Sequence, residues 1–283
     1  METRGGAGRG WRALARAVHA VGRRRRSGAE AGAADLEGWE PLWRAAAAEL
    51  GAEVEDLGAG FLEIRRGGQR TRVRHHLVKL GDPVTLKLAR SQPLARRLLA
   101  RACLPVPACE TFGLDTLARA EAFRREHGGT CVVKPVPARG GGAGVTAGVD
   151  SRRGLRRAAL RAALVARGLL VEEHVPGDAY RLLYLEGELL DAERRRPRAR
   201  EPEPVRAAIG KDLRAEGARA AQLLGARLAR VHVITPDPGA SLLASGGRIC
   251  RVDPTPALAG HGGFRNPAAS LRVAVPLLAR LLG

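Results

Sequence analysis

Apolar and polar positions along this chain fall into short runs separated by glycine, and the period of those runs changes several times. An Ala-rich stretch over residues 43–50 ends at Gly51, a helix-stop signal. Residues 54–57, 61–64 and 71–73 then set apolar positions between turns such as Gly67-Gly68, which predicts short strands. Together these make a small α/β segment, too short to bury a deep core by itself. A second helix is predicted over 93–102, with Pro93 at a start position where a missing N–H costs nothing. The extended connector Leu104-Pro105-Val106-Pro107 follows, then a helix over 117–126 that Gly128-Gly129 stops.

The next stretch carries chemistry. Cys131-Val132-Val133-Lys134-Pro135-Val136 reads as a buried strand bearing one cation, and Gly140, Gly141, Gly142 and Gly144 join it to a second strand over 145–149. A glycine-rich turn between strands exposes backbone N–H groups with no side chains in the way, which suits a flap over phosphate oxygens. No Gly-Lys-Ser/Thr follows and no G-x-G-x-x-G opens a helix, so the loops that seat phosphate at a helix start are not in use. A helix over 151–167, a strand over 169–173, the turn His174-Val175-Pro176-Gly177-Asp178 and a strand over 182–185 come next. Residues 194–204 read as an Arg-Pro-Glu connector. Asn266-Pro267 opens a last apolar segment in which Leu271, Val275, Leu278 and Leu282 share a helical face despite Pro276, an assignment to packing.

Composition adds constraints. At 283 residues and 45% apolar, the chain is long enough for a substantial core and too apolar for wholesale disorder. Aromatics are 3%, which argues against a base-stacking nucleic-acid platform. The net charge of +19 is carried mostly by Arg, since only Lys79, Lys87, Lys134 and Lys211 are Lys. That skew reads either as a coding bias or as a surface for a polyanion. Cys103, Cys109, Cys131 and Cys250 form no CxxC pair and read as buried free thiols of a reducing compartment. With no bilayer-length apolar run and no apolar signal core in the first 30 residues, the expectation is a cytoplasmic protein with no transmembrane segment. Residues 1–38 read as a basic, disordered tail, or as a short amphipathic helix built on Trp11, Leu14, Val18 and Val21.

Four stretches, in order, carry a resemblance: residues 93–107; Val132 to Pro135 with the glycine flap; residues 170–177 with Arg181-Leu182-Leu183; and residues 231–237 with Arg251-Val252-Asp253-Pro254-Thr255-Pro256. They resemble the ATP-grasp superfamily over about residues 40–283. Within it they look most like the ATP-grasp portion of cyanophycin-synthetase-like and glutathione-synthetase-like carboxylate–amine ligases. The resemblance implies an α+β ATP-grasp fold whose two α/β subdomains, residues 91–180 and 181–283, clasp a nucleotide cleft, with a small N-terminal α/β segment at 39–90. It implies that ATP phosphorylates a substrate carboxylate and that an amine attacks the acyl phosphate. Lys134 is then implied to neutralise the α/β-phosphates, and the flap from Gly140 to Gly144 to close over the triphosphate. Glu172, Glu173, His174 and Val175 are implied to form the hinge that takes the adenine, Asp178 to meet the ribose hydroxyls, and Arg181 to face the phosphates or the acyl phosphate.

The chain departs from the family pattern at several positions. Gln92 stands where the family carries Lys, with Lys87 the nearby substitute. For Mg2+ or Mn2+ the family supplies Asp, Glu and Asn, and the matching positions here are His232, Arg251 and Asp253. A guanidinium repels a divalent cation and imidazole suits softer metals, which leaves Asp253 and His232 as the metal candidates. Arg251 is expected to pair with phosphate oxygens instead, giving nucleotide affinity that a chelator does not change. Asp237 reads as a displaced carboxylate or a turn acid, and His261 as a substrate contact or an exposed loop residue. Three functions stay open: an ATP-grasp ligase of small carboxylates and amines, a catalytically silent ATP-grasp nucleotide-binding or scaffold module, and nucleic-acid binding through Arg-rich surface and tail.

Overall fold

The computed structural model describes residues 38–136, 142–196, 202–256 and 267–283. In chain order these form helix α1 (Trp39–Glu49), strands β1 (Glu53–Gly58), β2 (Phe61–Arg66) and β3 (Gln69–Arg74), and helices α2 (Pro83–Arg90) and α3 (Gln92–Arg101). Strand β4 (Cys109–Phe112), helix α4 (Leu117–Glu126), strands β5 (Cys131–Val136) and β6 (Thr146–Val149), helix α5 (Arg152–Ala163) and strand β7 (Gly168–Glu173) follow. Then come β8 (Asp178–Leu185), β9 (Glu188–Arg195), β10 (Glu203–Pro204), α6 (Lys211–Leu223), β11 (Leu228–Thr235), α7 (Leu242–Ser245), β12 (Arg248–Asp253) and α8 (Pro267–Leu281). Two compact units result. The described part of the first is Ser91–Pro93 with residues 107–136 and 142–175, and that of the second is residues 38–90, Leu94–Val106 and residues 176–196, 202–256 and 267–283.

The first unit is a four-stranded antiparallel sheet in the order β4-β7-β5-β6. Strand alternation sends Cys131, Val133, Leu169 and Val171 into a core with Phe112, Phe123, Leu155 and the alanines of α5. Ser151 caps α5 by accepting a hydrogen bond from Gly154 N at 3.1 Å. Helical spacing then buries Leu155, Ala158, Ala159, Ala162 and Ala163 while Arg152, Arg153, Arg156 and Arg157 stay exposed. The helix ends at Ala163 rather than 167, because Val165 and Ala166 turn back onto Ala162 through backbone hydrogen bonds. Burial pushes the Cys131 thiol up to about 11, so this cysteine is an inert part of the core; of the other three cysteines expected to be buried, Cys109 and Cys250 are half-buried and Cys103, in the turn after α3, is exposed.

In the second unit a five-stranded antiparallel sheet runs β10-β9-β8-β11-β12. One face sets Tyr180, Leu182, Tyr184, Val231 and Val233 against Leu213, Ala220 and Ala221 of α6 and Leu99 of α3. The opposite face contributes Leu183, Leu185 and Leu228 to another core, shared with Trp39, Leu42 and Trp43 of α1, Leu62 and Ile64 of β2, and Leu277 and Leu278 of α8. The small N-terminal segment therefore completes its core with the chain's last helix and the five-stranded sheet. On α8 the buried face is Ser270, Val273, Ala274, Leu277 and Leu278, with Leu271 and Val275 only half-buried, so the expected face is rotated. Within the expected connector 194–204, Arg194 and Arg195 instead continue β9 and Glu203-Pro204 form β10: Arg194 lies opposite Glu203 and forms a 2.7 Å ion pair with it. Asp82 caps the unforeseen α2 by accepting hydrogen bonds from Val84 N at 2.9 Å and Thr85 N at 3.0 Å.

Candidate functional site

The lysine-bearing strand is central in the first unit's sheet. Register pairs Val132 with Glu172 and Lys134 with Leu170, so Lys134 and Glu172 are diagonal neighbours on the face opposite the α4–α5 core. The Lys134 ammonium grips both carboxylate oxygens of Glu172, donating to Oε1 at 2.8 Å and lying 2.7 Å from Oε2. Both side chains are 8% exposed. An ammonium carries three donors, so a lysine held this way is positioned to serve an anion as well. Glu173 accepts from Ala108 N at 3.1 Å through Oε2 and returns its own N–H to Ala108 O at 3.0 Å, which ties the end of β7 to the segment before β4. His174 is exposed and Val175 buried.

Of the flap glycines, Gly142 and Gly144 are described, and Gly140 and Gly141 lie outside the described residues, as do His261 and the tail up to residue 37. Gly144 has φ +77°, and a Cβ there would meet Val165 Cγ2 at 2.9 Å and the backbone of Ala162 at 3.3 Å, whereas one at Gly142 would meet nothing within 4 Å. Gly144→Val is expected to cost about 1–3 kcal/mol of stability, and more than the same change at Gly142, measured by urea unfolding.

Strand β8 begins four residues earlier than expected, which places Arg181 inside it. Register then forms a continuous row across four strands, Glu193–Arg181–His232–Arg251, with Arg230 and Asp253 paired one pleat along. Arg251 Nη2 stands 3.6 Å from Asp253 Oδ2. Burial lowers Arg181, helped by the charge of Arg195, and pushes Arg230 down to about 10, helped by Arg181; both remain cations at neutral pH. Sequence reasoning missed Arg230 and Glu193; the Arg230/His232 alternation in β11 was a signal for Arg230 alone.

The other expected positions divide by contact. Asp178 lies 3.5 Å from Arg194 Nη1. Asp237 Oδ1 accepts from Gly239 N at 2.8 Å, the contact of a turn acid. Gly177 has φ +118° and a Cβ on it would lie 2.3 Å from Thr235 C, so only glycine fits this turn against the end of β11. Gln92 is buried, its Oε1 without a hydrogen-bond partner among the described residues, and Lys87 is exposed.

His76 stacks at a tilt on Trp39, with centroids 5.9 Å apart. Burial lowers it from 6.5; Asp253 opposes the shift, while His75 and Arg230 add to it. The unfolded chain therefore binds the extra proton, and stability present above pH 6.5 is lost as pH falls below it. His76→Phe is expected to flatten that part of the stability profile, measured by thermal melts between pH 7.5 and 5.

The donor set does not fit a divalent cation. Among the described residues no group of three or more His, Cys, Asp or Glu side chains is placed to hold a metal, and a guanidinium stands in the row beside Asp253.

The four-stranded antiparallel unit carrying a buried lysine and the five-stranded antiparallel unit that follows it in the chain match the fold of solved ATP-grasp ligases. The chain is similar to a bifunctional glutathione synthetase from Pasteurella multocida, with TM-score 0.58 and 16% identity, over 83% of this chain and 44% of that one. It is similar to the ATP-grasp ligase PsnB in complex with a minimal precursor, with TM-score 0.53 and 20% identity, over 71% and 62% of the two chains. A D-alanine–D-alanine ligase from Bacillus anthracis complexed with ATP matches with TM-score 0.52 and 14% identity, over 70% and 66%. The chain thus spans less than half of the synthetase and about three-fifths of PsnB. No protein-family model and no curated protein matches the sequence. Among the described residues no helix is long and apolar enough to cross a membrane.

Proposed function

We propose that the protein binds ATP and ADP through ATP-grasp elements and belongs in kind with ligases that join a small carboxylate to an amine, cyanophycin-synthetase-like enzymes among them. The observation that carries this reading is the Lys134–Glu172 pair, which holds a cation on the central strands of the first unit's sheet. In this reading Lys134 meets the α/β-phosphates, the strand end from Glu172 to Val175 takes the adenine through its backbone, and Arg181 meets the transferred phosphoryl group. ATP supplies the phosphoryl group that activates the carboxylate. His232, Arg251 and Asp253 do not fit a divalent metal. Free thiols among the described cysteines support a cytoplasmic setting.

A second reading, a nucleotide-binding module without turnover, is favoured by Arg251 beside Asp253. Calorimetric titration with ADP and ATP tests the shared claim: affinity in the wild type, absent in Lys134→Met, supports it, and no affinity in folded wild-type protein overturns it. Phosphate release that depends on added carboxylate and amine separates the ligase from the silent module.

A further inference from the structure

The face of the five-stranded sheet opposite α6 changes character along its strands. Where Leu183, Leu185 and Leu228 emerge it is core. Further along the same alternation, positions turn charged, and cross-strand neighbours there lie about 5 Å apart at Cβ. Arg181 and Arg251 flank His232 from either side in one row, and Arg230, 5% exposed, lies one pleat away. Arg195 ends the next row, opposite Ala179. Among the described residues of the sheet, the carboxylates on this face are Glu193, Asp253 and Asp191, fewer than the guanidinium groups of Arg181, Arg195, Arg230 and Arg251. Arg251 reaches Asp253 at 3.6 Å, longer than a charge-assisted hydrogen bond of about 2.8 Å.

A surplus of partly buried positive charge is costly until an anion compensates it. Planar guanidinium forks are suited to the oxygens of a tetrahedral anion. We propose that this face is an oxyanion site that binds a phosphate-type dianion without a divalent metal. Arg181 and Arg251 hold its oxygens and buried Arg230 adds fixed charge, so guanidinium groups neutralise the charge for which the fold's relatives would recruit a cation. The site lies within the second unit and needs neither Lys134 nor an adenine.

The test is calorimetric titration of the full chain with inorganic phosphate, pyrophosphate and ADP, each in EDTA and in Mg2+. Phosphate is expected to bind in EDTA, with Mg2+ bringing no gain. Arg251→Gln and Arg181→Gln are each expected to weaken it by at least about tenfold. Asp253→Asn, which keeps an oxygen for Thr255 N, is expected to leave phosphate affinity unchanged or tighter, because it removes a competing carboxylate. Phosphate binding without ADP binding sinks the nucleotide reading and leaves this one standing; ADP binding without phosphate or pyrophosphate binding does the reverse. Binding that requires Mg2+, or that Asp253→Asn abolishes, shows a metal site and overturns the proposal. Thermal melts confirm that each variant is folded, and the wild-type titrations decide the question if a variant is not.

Discussion

Replacing Lys134 by Met is expected to destabilise the protein by about 3–5 kcal/mol, because the change strands the Glu172 carboxylate inside the sheet without its cation. A double variant, Lys134→Met with Glu172→Gln, removes the stranded charge and is expected to recover much of the stability, yet to bind no ADP. This split separates two roles that one residue combines, holding the sheet face together and presenting a cation to phosphate. Urea unfolding reads the first and calorimetry the second. A Lys134→Met protein that loses less than about 1 kcal/mol would show that the pair is solvated and not part of the packed sheet.

The second large effect is on the core that the N-terminal segment shares with the five-stranded sheet. Trp43 is fully buried, and its indole N–H donates to His75 O at 2.8 Å. Trp43→Ala is expected to cost about 3–5 kcal/mol, the loss of a large aromatic from a packed core, aggravated by a carbonyl left without its donor. Because Trp43 shares its core with Leu183, Leu228 and Leu278, the N-terminal segment and the five-stranded sheet are expected to unfold together. Tryptophan fluorescence and far-ultraviolet circular dichroism should give one coincident transition. A tryptophan transition that coincides with no circular dichroism transition of the wild type would mean that residues 38–90 unfold apart from the sheet, contrary to the shared core.

Much of the candidate site was legible because it depends on local pattern. A β-branched run interrupted by one Lys gives β5 with the bounds expected of it, and Ser151 ahead of an Ala-Leu stripe gives α5 its start. The Glu172–Lys134 contact was not legible, since the two residues lie 38 apart in the chain and only the β5–β7 register makes them diagonal neighbours. The adenine contact expected of Glu172 uses its backbone, and the structure engages its carboxylate with Lys134. Arg194 and Glu203 looked like a charged connector because alternating Arg and Glu resemble a loop until an adjacent strand turns them into an edge pair.

The sequence by itself determined the period of each element and the glycine positions that break them, since these are properties of residue type and spacing. Tertiary structure alone decided that the N-terminal segment shares a core with α8 and that Arg230 joins Arg181 and Arg251 on one sheet face. The reason is that strand register and helix rotation are set by what packs against them, and in this chain those partners lie far away along the sequence.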